Sequence, residues 1–264
     1  METIIKNDYN QICSEAVDII HRKWQRKNDL VLGLATGRTP LGVYAKLIDM
    51  NRRGTMDFSA VRAFNLDEYL GLNEDHPQSF ARYMSKNFYS QINMQKENIH
   101  RLEGTPKNID EHCRQFEETI KGVGGIDVQI LGIGSNGHIG FNEPSSSLAS
   151  RTRVKTLTAD TIAANRSLFE EEKDIPRFCL TMGIGTIMEA KTILLLAFGQ
   201  KKSEAIAKSI EGPVTASVPA SVLQLHPEVK FIIDDEAASL LSKQDYYNWV
   251  YENKNKVDDY LKKT

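Results

Sequence analysis

A doubly wound α/β fold, with a mainly parallel sheet and helices on both faces (Rossmann-like), is what this sequence predicts. Five apolar runs of strand length, Leu30 to Ala35, Val61 to Asn65, Asp127 to Ile133, Thr192 to Phe198 and Val229 to Asp234, lie between segments of helical period. Their near-continuous apolar character calls for a sheet covered on both faces. Alternation of strand with helix favours parallel pairing through right-handed crossovers. The 264 residues, 41% of them hydrophobic, suit one large domain spanning 1–264.

In chain order, Ile12, Ala16, Ile20 and Trp24 mark a helix before the first of these strands. Beyond Leu30 to Ala35, Thr39 is expected to cap a helix whose first residue is Pro40 and whose face carries Leu41, Tyr44, Ala45 and Ile48. Ile109, Cys113, Phe116 and Ile120 define another helix ahead of the Asp127 to Ile133 strand. A helical segment near Ile162 to Phe169, the acidic Glu170 to Asp174 and the apolar Phe178 to Met182 follow, and a mobile lid is expected near 158–180. The tail, with Tyr247, Val250, Tyr251 and Leu261 on one face, reads as a closing amphipathic helix.

Composition narrows the function. Lys and Arg number 33 against 35 Asp and Glu, so no broad basic field exists for nucleic acid or an anionic membrane, and any bound anion is held locally. Met1 to Asn10 has no apolar core of signal-peptide length, and the longest apolar run, Ile193 to Phe198, is too short to span a bilayer, so a cytoplasmic location is expected. Cys13, Cys113 and Cys179 are scattered without C-x-x-C spacing, as expected of reduced, buried thiols. Homo-oligomerisation is left open.

Ligands of open parallel sheets bind at the carboxyl ends of strands, and three junctions there carry chemistry. In Ala35-Thr36-Gly37-Arg38-Thr39-Pro40 the backbone N–H groups and hydroxyls suit a phosphate, although the hexapeptide reads equally as an ordinary βα turn. Asn65-Leu66-Asp67-Glu68-Tyr69 sets two acids just beyond a strand end. Such pairs are usually solvated, but their place at the edge where the phosphate loop emerges favours a general base. The glycine-rich loop from Leu131 to Pro144 holds His138 between Asn136 and Glu143, either of which could fix its tautomer for proton transfer.

Leu32 to Pro40, Phe64 to Tyr69 and Gly137-His138-Ile139-Gly140-Phe141-Asn142-Glu143-Pro144 resemble the signatures of the glucosamine-6-phosphate deaminase family (glucosamine/galactosamine-6-phosphate isomerases). Ser150 to Thr158, Thr181 to Thr186 and Val218 to Pro227 extend the likeness over almost the whole chain. The resemblance implies an enzyme that opens glucosamine 6-phosphate, moves a proton from C2 to C1 and releases ammonia to leave fructose 6-phosphate, without organic cofactor or metal. It implies Asp67 as the base, Asn136, His138 and Glu143 as the ring-opening group, and Lys202 as a phosphate ligand beside Thr36, Gly37, Arg38 and Thr39. By this reading the enzyme is classed as a hydrolase acting on an amino-sugar phosphate. Ser147, Arg153 and Lys155 correspond to an activator site for N-acetylglucosamine 6-phosphate in some members, or form a solvated basic stretch.

Two positions depart from the family pattern. Asn136 stands where many members have Asp, which leaves Glu143 as the only ionised partner for His138. Ser167 stands where the family has a phosphate-binding arginine, with Arg166 one place early, so Arg38 is expected to compensate, with Arg166 as the competing candidate. A 6-phosphogluconolactonase would continue the glycine loop as Asp-Gly-His-Thr-Ala, unlike Gly137-His138-Ile139-Gly140 here. A non-catalytic sugar-phosphate sensor would lack the acid or the histidine, or carry an added DNA-binding segment.

Overall fold

Seven parallel strands form the central sheet of the computed structural model, which describes residues 1–158, 162–163, 166, 169 and 174–261, without side chains from 255 onward. They are β1 (Glu2–Lys6), β2 (Val31–Leu34), β3 (Arg62–Asn65), β5 (Ile99–His100), β6 (Val128–Leu131), β9 (Ile193–Ala197) and β10 (Val229–Asp234). Their order is β1-β10-β9-β6-β2-β3-β5, each pair parallel. From β2 the chain winds outward through β3 and β5, then returns to β6 on the other side of β2 and proceeds to β9 and β10. The crevice above the β2–β6 pair is therefore the topological switch point, where doubly wound sheets bind ligands.

Alternation along the buried strands supplies two core layers. Ile193, Leu195 and Ala197 pack with Cys113, Phe116 and Ile120 of α4 (Ile109–Gly122), with Ile184 and Ile187 of α5 (Ile184–Met188) and with Ile206 of α6 (Ser203–Ile210). Leu194 and Leu196 face the opposite layer, with Ile12, Ala16 and Ile20 of α1 (Tyr9–Arg26) and Val43, Tyr44, Leu47 and Ile48 of α2 (Leu41–Arg52). A second sheet of three antiparallel strands, β4 (Asp67–Tyr69), β8 (Phe178–Thr181) and β7 (Arg153–Thr156), in the order β4-β8-β7, stands beside β3. The remaining helices are α3 (Phe80–Asn87), α7 (Asp235–Ala238) and α8 (Gln244–Leu261).

Several expectations are corrected. A strand, β1, precedes α1 and extends the sheet on the far side of β10. Ala45 is exposed, since the buried stripe of α2 runs through Val43, Tyr44, Leu47 and Ile48. That helix begins at Leu41 with Pro40 at the cap and no side-chain capping bond, so Thr39 does not cap it. On α8, Tyr247 and Tyr251 face the body while Val250 is 38% exposed. The expected helix and acidic stretch over 162–174 fall largely on residues outside those described. The three cysteines are free and buried as anticipated.

Candidate active site

Three segments converge on the switch point. The first follows β2, where Gly37 turns the chain with φ +93°. Among the described residues, the backbone N–H groups of Thr36, Gly37, Arg38 and Thr39 donate to no acceptor. Open backbone donors at the entry of a helix suit an anion. The β6 loop lies alongside, since a Cβ at Gly132 would sit 3.8 Å from the Thr39 hydroxyl.

The second segment is β4. Glu68 accepts backbone N–H bonds from Tyr69 (2.8 Å), Phe80 (2.9 Å) and Ala81 (2.8 Å), so with the Ser79 hydroxyl it caps α3. Asp67 is also buried, but its Oδ1 has no hydrogen-bond partner among the described residues. Burial, helped by the negative charge of Glu68, pushes the Asp67 carboxyl up to about 8. Sequence reasoning paired the two acids; the structure shows one engaged in holding an element and one held in reserve. A groove of about 610 Å³ opens on the other side of Glu68, lined by His100, Arg101 and His112, and takes in none of the predicted phosphate or ring residues.

The third segment is the loop after β6. The His138 ring folds over Gly134, where a Cβ would lie 2.2 Å from the imidazole. Its Nδ1 lies 2.7 Å from Asn136 Oδ1 and 3.2 Å from Glu143 Oε2, and Asn136 Nδ2 donates to Glu143 Oε2 at 2.8 Å. Both oxygens facing Nδ1 are acceptors, so the neutral ring carries its proton there and presents Nε2 with a lone pair. The alternatives for fixing the tautomer are thus both used. The amide turns its oxygen to imidazole and its nitrogen to the carboxylate, bridging the two. Glu143 Oε1 also accepts from the Thr158 hydroxyl at 3.3 Å.

Thr181 joins the second segment to the third. It is the cross-strand partner of Asp67, its hydroxyl accepts the Phe141 N–H at 3.2 Å, and a Cβ at Gly140 would lie 3.0 Å from that hydroxyl and 3.3 Å from Leu66. The register also sets Arg153 opposite Thr181 and Lys155 opposite Cys179, with Asp67 in the same cross-strand row as Arg153. No signal in the sequence showed this row, because β4 and β7 are short and polar.

Lys202 follows β9 and is half-buried with no ion pair among the described residues, and burial holds its ammonium below the usual lysine range. Arg38 is exposed, whereas Arg166 donates to the Phe169 carbonyl within its own segment at 3.2 Å. Ser167 lies outside the described residues. The described residues contain no group of three or more His, Cys, Asp or Glu side chains arranged to hold a metal ion.

Open backbone donors, a buried acid unpartnered among the described residues and a hydrogen-bonded histidine meet at the switch point of a parallel sheet, and the class of protein they belong to is that of the sugar-phosphate isomerases. The chain belongs to the family described as glucosamine-6-phosphate isomerases/6-phosphogluconolactonase, whose model matches residues 7–231. It is 52% identical to a glucosamine-6-phosphate deaminase of Thermoanaerobacter pseudethanolicus over 93% of this chain and 97% of that one. It is 47% identical to one of Shewanella woodyi, covering 97% of each. A solved structure of a monomeric glucosamine-6-phosphate deaminase superposes with a TM-score of 0.88 at 41% identity, over 91% of this chain and 100% of that one. A 6-phosphogluconolactonase from Thermotoga maritima, at 19% identity and a TM-score of 0.69 over 89% and 100%, shares the fold alone.

These findings correct the expected class of hydrolase. The relatives, at 47–52% identity, are named deaminases and the family description includes isomerases, while the 6-phosphogluconolactonase shares the fold alone. The chain is an enzyme, and its class is isomerisation with deamination.

Proposed function

We propose that this enzyme converts D-glucosamine 6-phosphate and water to D-fructose 6-phosphate and ammonia. The observation that carries the assignment of roles is the unpartnered, buried Asp67 set across Thr181 from the loop of His138 and Glu143. The sugar phosphate is held by the N–H groups of Thr36, Gly37, Arg38 and Thr39 and by the Lys202 ammonium, with the Arg38 guanidinium reaching in from the loop. His138 Nε2 takes the proton of the O1 hydroxyl and returns it to ring oxygen O5 as the C1–O5 bond breaks. Asn136 and Glu143 hold Nδ1–H and stabilise the transient imidazolium.

Once the sugar is linear, the C1 aldehyde acidifies the C2 proton. Asp67 removes that proton and returns it to C1 while one amine proton passes to O1, so the 2-amino aldehyde becomes a 1-hydroxy-2-imine with no net change in charge. Water then adds at C2 and ammonia leaves. The aldehyde serves as the electron sink, so the sequence of steps requires no cofactor. Residues 1–264 act as one domain in this reading; the lid expected near 158–180 falls largely on residues outside those described. The membrane-impermeant, phosphorylated substrate and three free cysteines support a cytoplasmic location. Among the described residues no helix is long and apolar enough to cross a membrane.

An assay with glucosamine 6-phosphate in EDTA, following ammonia and ketose together, should give both products in equal amounts. Turnover of 6-phosphogluconolactone with no ammonia from glucosamine 6-phosphate would reverse the assignment.

A further inference from the structure

Three tyrosine hydroxyls, one from each of three helices, grip carbonyls of the loop after β2. Tyr44 of α2 donates to the Ala35 carbonyl at 2.5 Å and Tyr83 of α3 to the Gly37 carbonyl at 2.6 Å. Tyr9, the first residue of α1, lies 2.9 Å from the Thr39 carbonyl and 3.2 Å from the Arg38 carbonyl, and its oxygen accepts the Gly42 N–H at 2.8 Å. The Tyr9 ring also packs on Phe198 at 4.7 Å between centroids, at the end of the strand that leads to Lys202.

A trans peptide points its carbonyl and its N–H in opposite directions. Holding the carbonyls of Ala35 and Gly37 toward the helix layer therefore turns the N–H groups of Thr36 and Arg38 away from it, two of the four donors without acceptors among the described residues. Tyr9 fixes the end of the loop: its nearer contact is the Thr39 carbonyl, whose peptide nitrogen is that of Pro40, and the Arg38 carbonyl, which also accepts the Leu41 N–H at 3.4 Å, shares the Tyr9 hydroxyl at 3.2 Å and so orients the Thr39 N–H. The turn at Gly37 lacks a side-chain cap on α2, so the orientation has no other side-chain support from that cap. Burial pushes the hydroxyls of Tyr9 and Tyr83 up to about 12 and that of Tyr44 well above its ordinary value, so all three remain neutral donors at physiological pH.

We infer that Tyr9, Tyr44 and Tyr83 are positioning residues that preorganise the backbone donors for the phosphate, with Tyr9 also tying that loop to the β9 end that carries Lys202. The inference rests on the phosphate placement proposed above. It accounts for tyrosine, where phenylalanine would fill the same space: only the hydroxyl meets the carbonyl. Without the clasp the peptide planes rotate freely in the unliganded enzyme, and binding must then supply their ordering.

The test uses Tyr9→Phe, Tyr83→Phe and the double variant, leaving the fully buried Tyr44 in place. Each single change should raise KM for glucosamine 6-phosphate about 3- to 10-fold, the scale of one hydrogen bond, while kcat changes less than twofold. Inorganic phosphate, titrated calorimetrically without turnover, should lose affinity in the same proportion, and the double variant should lose more than either single one. Thermal melts within a few degrees of wild type would show that the variants are folded. Unchanged phosphate affinity in folded variants, or a fall in kcat at constant KM, would overturn the clasp. If the wild-type enzyme released no ammonia, the functional reading would fail, and the phosphate titration would still decide the clasp.

Discussion

Leaving a carboxylate buried with an unpaired oxygen costs the fold, because the charged form loses its hydration and gains no donor in return. Asp67 is such a group. Its folded pKa of about 8 lies above the ordinary 3.8, so the folded state keeps the proton where the unfolded chain has lost it. Stability from this group is complete below the unfolded value and declines as pH rises through the folded one. Asp67→Asn removes the decline. It should melt higher than wild type above neutral pH, the gap opening between about pH 4 and 8, while turnover falls about 10²- to 10⁴-fold as expected for loss of a general base. Parallel melting curves and rates at pH 5 and pH 8.5 check both halves; a variant that is less stable at the higher pH contradicts the reading of Asp67 as strained. The same pKa sets the rate profile, since the base must be ionised in the free enzyme: kcat/KM should climb with pH through about 8. Glu68 raises Asp67 and is itself faced by Arg101, while Tyr44, Tyr69 and Cys179 flank Asp67 as neutral groups. Glu68→Gln should therefore move the limb to lower pH, at a cost in stability from the three backbone N–H bonds it disturbs.

Elements were legible in proportion to how apolar they are. The runs at 193–197 and 229–234 are buried on both faces and announce themselves. By contrast β7 alternates half-buried cations with exposed Val154 and Thr156, and β4 is three residues of acid and tyrosine, so neither reads as a strand. That is why the sequence located Asp67 at a strand end but not the antiparallel sheet that aligns it with Thr181. The loop after β2 was legible as a loop, and its capping was not: α2 has proline at the cap and no side-chain capping bond, which leaves the donors open among the described residues. Charge at this element carries its own prediction. Lys202 is the N-cap residue of α6, where a cation opposes the dipole, and no carboxylate pairs with it among the described residues. Lys202→Ala and Arg38→Ala should each raise KM for glucosamine 6-phosphate roughly ten- to a hundredfold, the value of a charge-assisted hydrogen bond. Arg166, tied to the Phe169 carbonyl, should matter less. Steady-state kinetics on the three alanine variants rank them, and Arg166→Ala as the most damaging would refute the compensation by Arg38.

At the scale of the molecule, the winding of the sheet puts chemistry at its centre and adhesion at its edge. The site sits over β2 and β6, while β1, the strand sequence reading missed, lies three places from β6 across β10 and β9. It went unread because Glu2 and Lys6 flank a short run in which Ile4 faces the core, too little apolar signal to outweigh the charges. Those charges are what hold it. The Lys6 ammonium lies 2.9 Å from both the Tyr251 hydroxyl and Glu15, and 4.4 Å over the Tyr251 ring; Tyr251 in turn donates to Glu15 at 2.5 Å. Glu2 pairs with Lys230 of β10 and, at 2.8 Å, with Lys254 of α8. Hydrogen bonds from these cations, and from Tyr251 to Glu15, hold both glutamates below their ordinary value against the opposing effect of burial. Their stabilisation is present above about pH 4.5, the ordinary glutamate value, and is lost as pH falls through the depressed folded one. Tyr251→Ala removes the centre of this cluster, a hydroxyl bonded to two charges and a ring under a cation, at a cost of about 1–3 kcal/mol. For a domain of this size each kcal/mol corresponds to roughly 2–4 °C, so the variant should melt several degrees lower at pH 7. The deficit should narrow as the pH is brought below 4, where the glutamates of wild type are themselves discharged. At 25 °C its kcat and KM should match wild type, because no step of the chemistry passes through β1 or α8. A change in KM at a temperature where the variant is fully folded would show that the edge of the sheet communicates with its centre.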